Sequence, residues 1–398
     1  MTSEWHEAPL RELVGYISKG IAPSYAEEAS ETTIRVLNQK CNRNFRISYG
    51  DSRLHDTLKK KVPPERYVKP DDILINSTGA GTAGRIAQIE DVPSATTIDG
   101  HMILIRSNGK VTQKFLGYAL KAHQWEVLQL DEGSTGQTEL NRDRLLDEIM
   151  INYPVSFDEQ NAIVGTLESI DRKLIVNEQL NDNLQQQLFS LYENMATASP
   201  CLKEYTLSNL CDFQEGYVNP PQTHPEYFDG EVKWLRAVDI NESFIIETSR
   251  TLTKAGFESA KKSALLFEPN TIAISKSGTI GRLGIIADYM CGNRAVINIA
   301  PHDTNMLAFI YCFLKSKQRE FPDMAVGSVQ KNLYVSLLEP LSVSIPDNES
   351  LTAFNAVGAS ILGMIHNNCV ENTDLANLRD TILPKLMSGE IDVSSVLL

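Results

Sequence analysis

Long apolar runs are absent from the sequence, and their absence excludes one broad class of protein. No stretch approaches the roughly 20 consecutive apolar residues of a membrane-spanning helix, although 42% of the 398 residues are hydrophobic. The first residues, MTSEWHEAPLRE, are charged and lack the apolar segment of a signal peptide. We therefore expect a cytoplasmic protein with no membrane partner, built from two or more domains.

Paired cysteines and catalytic signatures are also missing. The six cysteines form no CxxC pair, and the seven histidines form no HExxH pattern. Scattered cysteines indicate a reducing compartment and argue against a zinc site. We find no Walker loop and no GxSxG motif, so the sequence favours a binding protein over an enzyme and predicts no catalytic or metal site.

One glycine motif could be mistaken for a nucleotide site. Gly79-x-Gly81-x-x-Gly84 follows an apolar segment and has the spelling of the dinucleotide fingerprint. That fingerprint requires a helix of about ten or more residues after the glycines. Pro93 closes the segment before such a helix could form. We therefore interpret the glycines as a turn between two short strands.

The sequence repeats itself, with segments that match in the same order. The matching pairs are residues 68–89 with 267–286, 34–37 with 232–235, 133–137 with 327–330, and 147–154 with 339–346. In the first pair, Gly84-Arg85 matches Gly281-Arg282, so both copies predict a Gly-rich hairpin that ends in Gly-Arg. We interpret the repeat as a tandem duplication of one globular module, each copy followed by a helix.

The two predicted helices are the clearest local signal. Residues 158–195 contain no proline, and apolar residues recur there with the 3-4 spacing of a coiled coil. A second such segment starts near Asn348 and is expected to end near Pro384. The coiled-coil seam is predicted at Leu167, Ile170, Leu174, Leu184, Leu188, Val357, Ile361, Leu375 and Leu378, with polar positions midway at Asn177, Asn181, Asn368 and Glu371. We expect the helices to pack on each other antiparallel; the alternative is that each packs on its own module.

Charge is distributed unevenly along the chain. The net charge is −14, and each helical segment (158–195 and 347–392) contains 7 acidic and 2 basic residues. Acidic helices repel phosphates and suit a protein partner, whereas the nearly neutral modules leave room for a basic face.

Residues suited to DNA contact recur in both modules. Arg and Lys suit phosphates, and Arg, Gln and Asn can also read base edges. The predicted DNA-binding residues are Arg35, Ser77, Thr78, Arg85, His101 and Gln137 in module 1, and Arg236, Lys276, Ser277, Arg282, Asn293, Arg294, Gln330 and Lys331 in module 2. Taken singly, each could be an ordinary turn or surface residue.

A competing signal is Asn219-Pro220-Pro221-Gln222, which resembles the NPP(Y/F) motif of amino-group DNA methyltransferases. In those enzymes the Asn and a prolyl carbonyl hold the amine of a flipped base, and an aromatic residue stacks on it. Here Gln222 replaces the aromatic residue, and no FxGxG segment for S-adenosylmethionine precedes it. We interpret the segment as a Pro-rich loop.

The ordered set of features resembles the specificity subunit of type I restriction–modification systems. The resemblance covers essentially the whole chain. It depends on the half-repeat, on the strand KPDDILI, and on the GSTGQ and GSVQ loops. It also depends on DEQNAIV, LESIDRKL and NEQL in the first helix and on LRDTILPKLMSGEI at the end of the second. Glu371 is an unusual charged residue for the helix seam of this family.

The resemblance implies an α+β fold. Two tandem mixed α/β target recognition domains would be joined by two long antiparallel coiled-coil helices with pseudo-twofold symmetry. The implied domains are 1–157 and 197–346 for recognition, and 158–196 and 347–398 for the spacer helices and the C-terminal tail.

The resemblance also implies partners and a role. The chain would be a non-catalytic DNA reader, each module binding one half of a split, asymmetric site in double-stranded DNA. Two methyltransferase subunits would dock on it and carry S-adenosylmethionine, so no cofactor is expected in this chain; a restriction subunit could join them. The alternatives are a stand-alone adenine methyltransferase that uses Asn219-Pro220-Pro221 and a coiled-coil scaffold that does not bind DNA.

Overall fold

The structure is a computed structural model that describes residues 4–79, 81–132, 139–198, 203–328 and 330–393. The chain divides into two compact units. Unit 1 comprises residues 1–172 and 376–398, and unit 2 comprises residues 173–375. Each unit therefore contains one repeated module together with part of each of two long helices, and the larger parts belong to unit 2.

Module 1 is built from short strands and three short helices, and the first long helix follows it. The elements are β1 (Trp5–Pro9), β2 (Val14–Lys19), β3 (Tyr25–Ala26), β4 (Thr33–Leu37), β5 (Asn42–Arg43), β6 (Arg46–Ile47), β7 (Arg53–Asp56), β8 (Ile73–Asn76), β9 (Ile86–Gln88), β10 (Thr96–Ile98), β11 (Met102–Ser107), α1 (Gln113–Ala122), α2 (Gln124–Val127), β12 (Asp131–Glu132), β13 (Glu139–Leu140), α3 (Arg142–Glu148), β14 (Met150–Pro154) and the long α4 (Phe157–Ala198).

Module 2 has a similar set of elements and is followed by the second long helix. They are β15 (Lys203–Thr206), β16 (Cys211–Glu215), β17 (Phe228–Leu235), β18 (Phe244–Ile245), β19 (Thr251–Leu252), α5 (Lys254–Glu258), β20 (Leu266–Phe267), β21 (Ile272–Ser275), β22 (Leu283–Ile286), β23 (Met290–Gly292), β24 (Val296–Pro301), α6 (Leu307–Lys317), α7 (Phe321–Met324), α8 (Val335–Leu338), β25 (Ser342–Ile345) and the long α9 (Asn348–Met387).

The sheets of the two modules have matching topology. Module 1 contains the sheets β2-β11-β8-β9 and β10-β4-β7-β3 and the pair β1-β14. Module 2 contains β16-β24-β21-β22-β18 and β19-β17-β23-β20 and the pair β15-β25. In both modules one strand pair of the second sheet is parallel, β10 with β4 and β23 with β17. The structure thus confirms the duplication.

The glycine motif lies in a hairpin, as predicted. Strands β8 and β9 pair antiparallel, with Ile73 opposite Gln88 and Ile75 opposite Ile86. Strands β21 and β22 form the corresponding hairpin in module 2. Because a strand follows the glycines, the helix N-terminus that a dinucleotide site requires is not formed there.

The long helices contact each other through polar side chains near their midpoints in unit 2. The Asn177 amide nitrogen donates to Glu371 Oε2 (2.7 Å) and to Asn372 Oδ1 (2.9 Å). The Asn368 amide nitrogen donates to Asn181 Oδ1 (2.8 Å). Higher residue numbers in α4 meet lower numbers in α9, so the helices run antiparallel in this unit. Polar pairs in such a seam fix the register of the helices.

The predicted seam is wrong at two positions of α9. Val357 and Leu378 are exposed, whereas Leu362, Ile365 and Leu383 are buried. The buried face lies about one residue further along the helix than the heptad pattern places it. In unit 2, α9 packs on α4 and also on helix α6 of module 2, within one hydrophobic cluster. A face shared by two neighbours is wider than an a/d seam.

The other seam residues differ in exposure. Leu167, Ile170, Leu174, Leu184, Leu188 and Ile361 are buried, and Leu375 is half-buried. Leu184 and Leu188 belong to the same hydrophobic cluster as Phe309 of α6. The two packing arrangements considered from the sequence, helix on helix and helix on module, therefore occur together in unit 2.

Helix α9 also ends later than predicted. It continues through Pro384 to Met387. A proline within a helix removes one main-chain hydrogen bond, here the one that position 384 would donate to the Asp380 carbonyl. Gly389 stops the helix by adopting a left-handed conformation (φ 74°), and the Ile391 amide donates to the Lys385 carbonyl.

A buried charged cluster joins α1, α4 and α9 in unit 1. Asp171 Oδ2 accepts hydrogen bonds from the Tyr118 hydroxyl (2.8 Å) and Lys121 Nζ (3.3 Å), and Asp171 Oδ1 accepts one from Arg379 Nη1 (2.9 Å). Burial by itself would raise the pKa of the Asp171 carboxyl. The charge of Lys121 and the hydrogen bonds from Arg379 and Tyr118 outweigh burial and lower that pKa.

Truncation of Leu188 should destabilise unit 2 far more than truncation of Leu191, on the same helix. Leu188 is fully buried and Leu191 is 41% exposed. We expect Leu188→Ala to lower the free energy of unfolding by about 2–5 kcal/mol and Leu191→Ala to lower it by less than about 1 kcal/mol. Denaturant titration measures both. Equal losses would contradict this packing.

Asp171→Asn should destabilise unit 1 in a pH-dependent manner. At pH 7 the loss of the buried carboxylate leaves Lys121 without its hydrogen-bonded carboxylate and Arg379 with Asp380 alone, and it should cost about 3–5 kcal/mol. Because the folded pKa of Asp171 is lowered, its stabilisation is complete above the unfolded pKa of about 4 and is lost as pH falls through the folded value. Wild type and variant should therefore converge in acid. Asp182→Asn, at an exposed position of α4, is the matched control, and a pH-independent difference would contradict the assignment.

Candidate nucleic-acid interface

A glutamine holds the Gly-rich hairpin in the same way in both modules. The Gln124 amide nitrogen donates to the Gly84 carbonyl (2.8 Å), and the Gln318 amide nitrogen donates to the Gly281 carbonyl (2.9 Å). Gln124 Oε1 also accepts a hydrogen bond from the Ile86 amide (2.9 Å). These contacts anchor the end of each hairpin to the residues that follow helices α1 and α6.

Main-chain hydrogen bonds attach each hairpin to the strand beside it and to a later segment. The Ser77 amide donates to the His101 carbonyl (2.8 Å), and the Ser77 carbonyl accepts from the Leu140 amide (2.8 Å). In module 2 the same two bonds join Lys276 to Ala295 (2.7 Å) and to Leu333 (2.9 Å). The structure thereby aligns Ser77 with Lys276 and Leu140 with Leu333.

This alignment settles which loop residues correspond. Gln137 and Gln330 each lie three residues before the aligned leucine, Leu140 or Leu333. Gln330 and Lys331 are exposed. Gln137 and the rest of its GSTGQ loop lie outside the described residues.

Corresponding residues at the ends of β2 and β16 each form an ion pair, but with partners from different segments. Lys19 at the end of β2 is bonded to Glu139 in module 1. The residue aligned with Lys19 is Glu215 at the end of β16, and both of its carboxylate oxygens accept from Lys276 Nζ at 3.0 Å. Lys276 also lies 4.8 Å from the ring centroid of Tyr334. Its charge is therefore compensated within module 2.

The predicted residues around the first hairpin are not equally placed to meet a ligand. Ser77 is fully buried, so the prediction that its side chain contacts DNA is wrong; its main chain joins strands instead. Thr78 is half-buried, and its hydroxyl is 2.8 Å from Nδ1 of the exposed His101. Burial raises the pKa of the neighbouring Asp99 carboxyl, and the hydrogen bond from the His101 amide partly offsets this effect.

Two predicted arginines are engaged outside the hairpins. Arg35 on β4 donates to the Ser52 hydroxyl (3.1 Å). Arg236 after β17 donates to the Ser249 hydroxyl (2.6 Å), and its main-chain amide donates to Asp239 (2.9 Å). Of the remaining predicted residues, Ser277, Arg282 and Asn293 are half-buried and Arg294 is exposed.

A cavity of about 620 Å³ lies beside the hairpin turn of module 1. It is lined by the segment that follows β4, by the hairpin, and by Gln124 and Leu128. The residues after β4 are Gln39, Lys40, Asn42, Arg43, Asn44 and Phe45, and those of the hairpin are Gly79, Thr82, Arg85 and Ile86. Three of these side chains are cationic and none is acidic. Of the predicted DNA-binding residues that the structure describes, only Arg85 lines it.

A second cavity, of about 480 Å³, lies beside the hairpin turn of module 2. Its lining residues are Gly278, Ile280, Pro322, Asp323, Gln330 and Lys331. Gly278 and Pro322 correspond to Gly79 and Leu128, which line the first cavity. Both modules thus have a concave surface at the same place, but the linings differ in charge.

The repeat pattern of the sequence did not point to Gln39, Lys40 and Arg43, which also line the first cavity. They follow strand β4 in a segment that is unlike its counterpart in module 2, where Ala237 and Val238 stand in place of Gln39 and Lys40. A search for functional residues common to both copies therefore discards them. The cluster of two cations and a glutamine directly after a strand is the signal that could have identified them.

The Pro-rich loop of module 2 lies on the surface. Asn219 and Gln222 are exposed, and Gln222 accepts a hydrogen bond from Arg250 (3.0 Å). Across the part of the chain that the structure describes, no three His, Cys, Asp or Glu residues are grouped so that they could bind a metal ion. No helix among the described residues is long and apolar enough to cross a membrane.

The chain is similar to known proteins along most of its length. The family model of the type I restriction modification DNA specificity domain matches residues 2–186 and 202–373. A type I restriction enzyme specificity subunit from Haemophilus influenzae, HindI, is 27% identical over 176 residues, which are 43% of this chain and 38% of that protein. The MjaIX specificity subunit from Methanocaldococcus jannaschii is 24% identical over 99% of this chain and 95% of that protein.

The fold is also known. A crystal structure of a type I restriction–modification S subunit from M. genitalium has a TM-score of 0.55 at 18% identity, and the match covers 97% of this chain and 96% of that one. The duplicated modules and the paired helices are therefore those of an S-subunit fold. The chain belongs to the type I restriction–modification DNA specificity domain family, whose role is the recognition of DNA sequence.

Gln124→Ala should loosen the hairpin without unfolding module 1. It leaves the Gly84 carbonyl without its side-chain donor and the Ile86 amide without its acceptor, a loss of about 1–3 kcal/mol. Hydrogen–deuterium exchange should show faster exchange at the Ile86 amide. Gln129→Ala, five residues further along and exposed, is the control. Unchanged protection in Gln124→Ala would show that the glutamine does not hold the hairpin.

Proposed function

We propose that this chain is the non-catalytic DNA-recognition subunit of a type I restriction–modification complex and that each module reads one half of a bipartite, asymmetric site. The observation that carries the proposal is the pair of cavities beside matching hairpins in the two modules. Two modules that recognise different DNA sequences need the same framework with different lining residues. The framework positions the lining residues, and their contacts with base edges determine which sequence is bound.

The charges around the two cavities favour an asymmetric target. Lys40, Arg43 and Arg85 line the cavity of module 1, and its described lining contains no acidic residue, although Arg43 lies 4.0 Å from Asp51 outside it. Lys331 is accompanied by Asp323 in the cavity of module 2. Module 1 therefore offers more phosphate neutralisation, and we expect its half-site to contribute the larger part of the salt dependence of binding.

The long helices suit the roles of spacer and docking surface for two methyltransferase subunits. Helix α4 has 42 residues and is therefore about 63 Å long, compared with about 34 Å for one turn of duplex DNA. The acidic surface of the helices favours a protein partner over DNA. The methyltransferase subunits would carry S-adenosylmethionine, and a restriction subunit would complete the nuclease.

The direct test is a footprint of the complete complex. The chain would be purified with its methyltransferase subunits, incubated with a library of duplexes of random sequence, and the bound sequences footprinted. We expect two protected, sequence-specified segments separated by an unspecified spacer. An uninterrupted footprint without specified bases would favour the scaffold alternative, and methyl transfer to DNA by this chain alone would overturn the non-catalytic assignment.

Removal of one cation should separate phosphate binding from general loss of structure. Arg85→Gln should weaken binding to all sequences and lower the slope of log K against log salt by about one. Arg172→Gln makes the same chemical change at an exposed position of α4 and should leave the slope unchanged. Asn219→Ala should leave methylation by the complex unchanged. Equal slopes for Arg85→Gln and the wild type would remove Arg85 from the interface.

A further inference from the structure

One polar atom of the Gln39 side chain is shielded in the lining of the module 1 cavity. Gln39 begins a single 3₁₀ turn directly after β4 and lines the cavity opposite the hairpin. Its Oε1 atom is shielded by protein and has no hydrogen-bond partner among the described residues. Since a shielded acceptor without a donor is costly, this carboxamide gains a hydrogen bond if it turns toward a ligand in the cavity.

The main chain of Gln39 is fixed by hydrogen bonds. Asn38 caps the turn, because its Oδ1 accepts from the Lys40 amide (2.9 Å) and its Nδ2 donates to the Asp51 carbonyl (2.8 Å). The Gln39 carbonyl accepts a hydrogen bond from Asn76 Nδ2 at the end of β8 (3.1 Å). The backbone of Gln39 therefore loses little conformational freedom on binding.

The hairpin leaves room for this side chain at Gly79. A Cβ atom at that position would lie 2.7 Å from Gln39 Oε1 and 2.3 Å from Thr82 Oγ1, and the glycine has a φ of 112°. No other residue type therefore fits there without a shift of Gln39. The turn after β4 and the Gly-rich hairpin thus form one surface.

The far wall of the cavity is kept in an unfavourable conformation. Asn44 and Phe45 connect β5 to β6 with φ values of 51° and 61°. Asparagine tolerates this left-handed region, but for a bulky residue such as phenylalanine it is a costly exception. Phe45 nevertheless lines the cavity, and its ring centroid lies 4.9 Å from Lys121 Nζ.

The chemistry of the lining matches a nucleotide of duplex DNA. Lys40, Arg43 and Arg85 supply cations for a backbone phosphate. A glutamine carboxamide offers one acceptor and two donors, which match the N6 amine and the N7 atom of adenine in the major groove. A second shielded acceptor without a partner, Asn42 Oδ1, lies in the same lining.

We propose that Gln39 is a specificity-determining residue of module 1, reading the major-groove edge of one adenine while Lys40, Arg43 and Arg85 hold the adjacent phosphates. This inference rests on the proposed function and identifies the residue through which one half-site is read. In module 2 the aligned turn presents Ala237 and the exposed Val238, so the same contact cannot be made there.

The decisive variant is Gln39→Glu in the complete complex with its methyltransferase subunits. A glutamate accepts hydrogen bonds but donates none, so it disfavours adenine and favours the N4 amine of cytosine. Binding selection from a random duplex library should show one adenine of the module 1 half-site replaced by cytosine. Gln39→Ala should lose the preference at that position by about tenfold or more, with every other specified base unchanged.

Two controls separate base reading from phosphate binding and from folding. Lys40→Ala should weaken binding to all sequences alike, lower the salt slope by about one and leave the base preferences unchanged. Gln186→Ala makes the Gln39→Ala change at an exposed position of α4 and should change neither affinity nor preference. Circular dichroism of each variant checks that the fold is retained.

The outcomes distinguish this inference from the function on which it rests. If the wild-type complex selects no bases, the proposed function fails. If the wild type selects a bipartite site and the Gln39 variants keep its full base profile, the function stands and the role of Gln39 is overturned. A preference altered at several positions of both half-sites would also overturn it, because one carboxamide reads one base pair.

Discussion

The hydrogen bonds that fix the Gly-rich hairpin are the constraint on which both modules depend. A carboxamide from Gln124 or Gln318 holds the closing glycine, and two main-chain bonds join the start of the turn to its neighbours on either side. These contacts use atoms that nearly every sequence possesses, apart from the glutamine. The hairpin can therefore keep its place while the residues that line the adjacent cavity change. A recognition surface that must diverge in chemistry but not in position needs such a framework.

The corresponding strand ends at Lys19 of β2 and Glu215 of β16 each form an ion pair, but with a different segment. Lys19 pairs with Glu139 of β13 in one module, and Glu215 pairs with Lys276 at the start of the hairpin turn in the other. This strand end is thus held by an ion pair in both modules although its own charge and its partner segment differ. The sequence predicted that Lys276 contacts DNA, but its charge is engaged in this ion pair. Cations without such a partner are better candidates for contact with DNA.

The sequence predicted those parts of the structure that depend on local pattern. Periodicity and turn chemistry predicted the strand–turn–strand structure of the glycine motif, the duplication and both long helices. The buried face of α9 could not be predicted in this way. Helix α9 packs on module 2 as well as on α4, and this packing moves its buried face away from Val357. The burial of Ser77 is likewise a tertiary effect, since an adjacent strand covers it. Gln39 was not predicted as a functional residue, because the prediction relied on residues that recur in both modules and only module 1 carries this glutamine.

The polar residues near the midpoints of the long helices favour a single register of the two helices over maximal stability. In unit 2, Asn177, Asn181 and Asn368 replace apolar residues where α4 and α9 meet. A uniformly apolar seam would be more stable, yet it would tolerate a slip of one heptad at little cost. Amides that must pair with amides penalise such a slip, because each slipped pair leaves buried donors and acceptors unsatisfied. If the helices act as a spacer, a defined register matters more than maximal stability, since the register sets the length that the spacer measures.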